Sequence, residues 1–152
     1  MSDPITSPPT LAGFVAWSQA VMGLNSIVIS PTDQGYAYAY QVALNIVPRD
    51  FAIVAPDIYT LTVYNWAGSQ LIQWQQDYNG QTFFADARKS YGINNFVAGV
   101  INSASDVSTS ETLTVGQGLQ NLQLLDLQAI KDPYGRRALS FMMAIGTNWG
   151  LS

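Results

Sequence analysis

Asp57, Asp77 and Asp86 are the acids spread over the central stretch of the chain, and no two of them are spaced to share one helical face. Acid–base work on a single bond needs two carboxyl groups held close together with pKa values pushed apart. The spacing therefore predicts helix caps and solvated acids, not a catalytic pair. The chain holds no His and no Cys. That removes the commonest general base and metal ligand, and with them thiolate nucleophiles, disulfides and cysteine-type zinc sites. Catalysis would have to run on Asp, Glu, Lys, Tyr or Ser alone. The expectation is a protein that is not an enzyme and uses no cofactor and no metal.

Arg49-Asp50 and Arg88-Lys89 supply the positive groups outside the C-terminal region. An adjacent basic pair can touch a phosphate, but such pairs are equally ordinary on a solvated surface. Val115-Gly116-Gln117-Gly118 has glycines without the lysine of a phosphate-binding loop or the dinucleotide fingerprint. Six Lys and Arg against ten Asp and Glu give a net charge of −4, whereas proteins that read nucleic-acid sequence carry a basic face. The placement of charge says more than its sum. Residues 1–125 hold eight acids and three bases, net −5, while 126–152 hold Asp126, Lys131, Asp132, Arg136 and Arg137, net +1. A basic last helix beside an acidic body can guide self-assembly or face a negative neighbour. Arg136 and Arg137 are therefore interface candidates.

The aromatics Tyr36, Tyr38, Tyr40, Tyr59, Tyr64, Trp66 and Trp74 would suit a saccharide or ligand cage. Aromatic side chains bury large areas and gather in cores and where subunits meet, so most are expected in the core. Tyr38 and Trp66 are expected to face outward, and Trp149 to anchor the tail, which makes these three the apolar interface candidates.

These side chains must be held by one domain. At 152 residues, 48% hydrophobic and 11% charged, the chain can bury one core, and Gln, Asn, Ser and Thr must cover much of its surface. The N-terminus has neither the basic start nor the apolar stretch of a signal peptide, and no run approaches a membrane span. A soluble protein made in a cytoplasm is expected. Residues 1–9 hold three prolines and read as a flexible or partner-docked arm.

A first helix is predicted from a Thr10 cap to a Gly23 stop, with Leu11, Phe14, Val15, Ser18, Val21 and Met22 at helical spacing. Residues 24–29 read as an extended connector. Ser30-Pro31-Thr32-Asp33 reads as cap, proline at the first position and acid at the third, opening a helix to Val47 that Pro48 ends. After a linker at 48–56, a helix is predicted over about 57–76, with Asp57 in its first turn. Its apolar residues cover nearly the whole circumference. Tyr59 to Tyr64 would also fit a strand, but the apolar pattern runs on to Trp74, longer than a strand. Such a helix is either the centre of a bundle or meets another subunit.

A turn at 77–82 leads to a helix from Phe83 to Tyr91, ended by Gly92. Residues 93–118 stay open between loop and strand fragment, and 119–130 read as a lead-in and short helix. Asp132 caps and Pro133 opens a last helix that Gly146 ends. The fold expected is mainly α, a small bundle of five to six helices. Residues 1–9 form its extended arm, 10–146 the helical domain and 147–152 a C-terminal tail.

Three stretches carry a resemblance. Thr-Leu-Ala-Gly-Phe-Val-Ala-Trp with Val-Met-Gly-Leu in residues 10–24, the run from Ile58 to Ile72, and Asp126-Leu-Gln-Ala-Ile-Lys-Asp-Pro-Tyr-Gly-Arg-Arg resemble structural proteins of tailed phages. The chain looks like the small helical adaptors of the head-to-tail connector. The resemblance implies a virion protein assembled in the host cytoplasm. It would form a homo-oligomeric ring, dodecameric in that family, between the portal protein and a tail or nozzle protein. Genomic DNA would pass through without sequence-specific binding, and no membrane would be involved. The scarcity of positive charge departs from a DNA-gripping wall, although an acidic channel lets DNA slide. Two alternatives are a tail terminator, completion or capsid-associated protein, favoured by β structure in 57–76 and 93–118, and a monomeric ligand-binding module with an aromatic pocket.

Overall fold

The computed structural model describes residues 7–78, 80–93 and 129–148. These form α1 (Leu11–Trp17), α2 (Gln34–Ile46), α3 (Phe51–Val54), α4 (Pro56–Trp74), α5 (Phe83–Tyr91) and α6 (Pro133–Asn148), with a π-helical turn over Ser18–Met22 continuing α1. The protein is mainly α, a small helical bundle, and no strand occurs among the described residues. The pleated alternative for residues 59–64 is thereby excluded.

Local chemistry sets most of these boundaries. Thr10 Oγ1 accepts the Gly13 N–H at 2.9 Å and starts α1. Gly23 and Gly92, at φ 75° and 66°, end the first helical stretch and α5 in the left-handed conformation that glycine adopts without strain. Pro56 occupies the first turn of α4 with Asp57 beside it. Asp132 Oδ1 accepts the Gly135 N–H at 2.8 Å and opens α6.

Five local expectations need correction. The turn over Ser18–Met22 is π-helical, so the Gly23 N–H reaches back to Ser18 O. The wider turn rotates the chain less per residue, which keeps Met22 on the buried side with Phe14 and Trp17 and leaves Val21 exposed. Residues 30–33 make a turn closed by the Asp33 N–H on Ser30 O at 2.9 Å. Asp33, not Ser30, caps α2, accepting the Gly35 N–H at 2.7 Å. The connector at 24–29 is folded on itself, Asn25 Oδ1 accepting the N–H groups of Ile27 and Val28 at 2.9 and 3.2 Å. The linker at 48–56 contains the short helix α3. At the far end α6 continues through Gly146 to Asn148. The readings of 93–118 and 119–130 fall outside the described residues, except Ile93 and residues 129–130.

Helix α4 is the axis, packed against α2, α3, α5 and α6. Its residues from Tyr59 to Ile72 are buried apart from Leu61, so its apolar circumference is covered within one chain. Three polar residues on this axis offset part of the cost of burial by bonding their own helix. Thr60, Thr62 and Asn65 donate to the carbonyls four residues back, at 3.0, 2.7 and 2.8 Å. Around the upper half of α4 the rings interlock. Phe14 lies 5.6 Å from Tyr36, 6.0 Å from Tyr64 and 6.4 Å from Tyr40, and Trp17 lies 6.1 Å from Tyr64 and 6.0 Å from Tyr134. Centroid separations of this size are those of favourable edge and offset contacts, and they tie α1, α2, α4 and α6 into one core.

Candidate functional site

Charge is the scarcest resource of this chain, and the described charges are mostly committed to helix ends. Among the acids, Asp33 caps α2, Asp50 precedes α3, Asp57 lies in the first turn of α4, and Asp132 caps α6. Asp77 accepts the N–H groups of Phe84 and Ala85 at 2.8 and 3.0 Å, and Asp86 accepts from Thr82 Oγ1 at 2.9 Å in the first turn of α5. Asp33, Asp77 and Asp132 thus accept unpaired backbone donors of a helix start, and Asp57 and Asp86 place their charge in a first turn. The bases mirror this. Arg88 donates to Ile72 O and Gln75 O at 3.2 and 2.8 Å, closing α4, and Lys131 Nζ lies 3.4 Å from both Gly92 O and Ile93 O at the end of α5. Arg136 donates to Ile130 O at 3.0 Å and Lys131 O at 3.4 Å. The Arg88-Lys89 pair is therefore no phosphate clamp, because its arginine is a helix cap.

Asp132 is the one described carboxylate taken wholly out of water. Burial raises its carboxyl above the usual carboxylate range. Hydrogen bonds from Ser69, Gly135 and Tyr134 and the charge of Arg136 oppose that rise without cancelling it. Ser69 Oγ donates to Oδ2 at 2.6 Å, so the pair staples α4 to α6. Burial likewise pushes the phenols of Tyr36, Tyr40 and Tyr134 up from their ordinary value of 10.0, away from any role as a base near neutrality. No group of three or more potential metal ligands occurs among the described residues, and no helix there is long and apolar enough to cross a membrane.

The outward apolar side chains are the remaining candidates. Tyr38 is 66% exposed and packs edge-on against the partly exposed Trp74, with ring centroids 6.4 Å apart. Ile53 is 80% exposed on α3, with Val54 beside it. Tyr38 thus stands where the sequence placed it. Trp66 does not: it is completely buried in the centre of α4, and its helix is enclosed on all sides, so its outward assignment is corrected. Arg136 and Arg137 are both exposed, and among the described residues the Arg136 guanidinium is hydrogen-bonded whereas no side-chain hydrogen bond of Arg137 occurs. Trp149 lies outside the described residues.

Two features escaped the sequence reading. Trp74 joins Tyr38 at the surface, and the i, i+36 spacing across two helices gives no local signal. The arm also has a seat. Ser7 Oγ lies 3.0 Å from Pro56 O, 3.0 Å from Asp57 Oδ1 and 2.9 Å from Thr60 Oγ1. Ser7, Pro8 and Pro9 border an open depression of about 310 Å³ with Ala52, Pro56 and Tyr59. The aromatic cluster expected of a ligand pocket is instead filled by its own rings, with Phe14, Tyr36 and Tyr64 all fully buried. Comparison with known protein families, curated proteins and solved structures gives no match for this chain.

Proposed function

We propose that this chain is a non-enzymatic virion structural protein, an adaptor of a tailed-phage head-to-tail connector that works by forming a ring on the portal. The observation that carries the assembly reading is the exposed Tyr38–Trp74 pair, with Ile53 also exposed on the same bundle. Aromatic anchors of this kind are what association surfaces use. The phage setting rests on the sequence resemblance of residues 10–24, 58–72 and 126–137. Arg137 supplies register, Trp149 an apolar anchor, and the tail or nozzle protein docks on the far side of the ring. The tail-terminator alternative calls for β structure at 57–76 and 93–118; the first is helical, and the second lies outside the described residues apart from Ile93.

The test is the mass of the purified protein in solution, with and without a candidate portal, by light scattering coupled to size exclusion and negative-stain imaging. A closed ring, alone or on the portal, is expected. A monomer indifferent to the portal overturns the proposal.

A further inference from the structure

We propose that the Ser7-Pro8-Pro9 segment is an exchangeable clasp: its seat on the α3–α4 corner also accepts the same segment from a second copy of this chain. The inference deepens the assembly reading and rests on it for its setting.

The seat matches the segment chemically. Ser7 presents one hydroxyl to Pro56 O, Asp57 Oδ1 and Thr60 Oγ1, all within 3.0 Å. The prolines that follow have no N–H to satisfy and border the same open depression as Ala52, Pro56 and Tyr59. The clasp is also easy to open. Ser7 and Pro9 are only half-buried and Pro8 is exposed, whereas the deep core begins at Phe14. A terminal segment with so few buried contacts opens without disturbing the rest.

The pivot is fixed just behind it. The Thr10 N–H donates to Tyr64 Oη at 3.2 Å and Thr10 Oγ1 caps α1, so opening leaves the bundle intact. Every bond lost on opening is regained in another copy, because the seat there is identical. That is the general reason exchanged elements give dimers and rings at low cost. Neighbours held in an assembly raise the local concentration of the arm and favour exchange. Ile53, next to Ala52 on α3, offers apolar surface for the body that follows the exchanged arm.

The absence of cysteine makes a direct test possible. Full-length Ser7→Cys and Thr60→Cys chains, carrying tags of different size, are mixed with portal under mild oxidation and resolved without reductant. The Ser7→Cys/Thr60→Cys double variant, which can lock within one chain, checks that the seat is intact. A mixed Ser7→Cys with Lys89→Cys pair measures chance collision. The expected result is a cross-linked heterodimer about tenfold above the collision pair. A double variant that locks only within one chain, with mixed single variants no better than collision, overturns the clasp. Light scattering on the same samples separates the two ideas: a ring without cross-linking removes the exchange alone, and no ring removes the assembly reading.

Discussion

Gly135 shows how narrowly one position can be constrained. A Cβ there would collide with the Ala129 carbonyl oxygen and come within 2.7 Å of its carbonyl carbon and 2.9 Å of its Cα, all backbone atoms that cannot step aside. Gly135→Ala is expected to destabilise the fold by about 2–3 kcal/mol in a urea titration, the range of overpacked sites. Three residues earlier, Asp132 binds its proton more tightly folded than unfolded. Its contribution to stability is complete below the ordinary value of 3.8 and is lost as pH rises through the higher folded value. The stability of the natural chain minus that of Asp132→Asn should therefore fall between acid and neutral pH. A difference that grows with pH would show that the buried site favours the carboxylate. Asp132 as a cap was legible, since cap and proline are adjacent. Its partner Ser69 was not, because it lies 63 residues away.

At the scale of elements, the capping pattern makes a contrast between neighbours. Arg88→Ala leaves the Ile72 and Gln75 carbonyls at the end of α4 without their donor and should cost about 1–2 kcal/mol, the scale of a partly screened charged hydrogen bond. Lys89→Ala, one exposed residue further, should change the same melt by less than about 0.5 kcal/mol. The elements legible in sequence were those whose start or stop is written locally: Thr10 for α1, Gly92 for α5, Pro133 for α6, and the long apolar run of α4. Those misread had competing local chemistry. Ser30-Pro31 carries a helix-start pattern, yet its hydroxyl bonds Thr32 at 3.0 Å within a turn and the start passes to Asp33. The outward assignment of Trp66 failed for a tertiary reason: on a helix apolar all round, the side that meets solvent is decided by what packs against it. Here every side is taken.

At the scale of the whole molecule, core and surface aromatics should separate cleanly in a mutational test. Trp66→Ala empties the centre of the bundle and should lower stability by about 3–5 kcal/mol. Tyr38→Ser should leave the melt nearly unchanged while reducing the assembled mass seen by light scattering. If Tyr38→Ser assembles as the natural chain does, the exposed pair is not an anchor. The commitment of charge to helix ends has a further consequence for how copies meet. Carboxylates at helix starts and bases at helix stops meet opposite partial charge within their own turn, but helix dipoles carry no net charge and the chain's −4 remains. Copies of one net sign repel at long range, so the rate at which they join should rise with ionic strength, in contrast to association between oppositely charged partners, which salt slows.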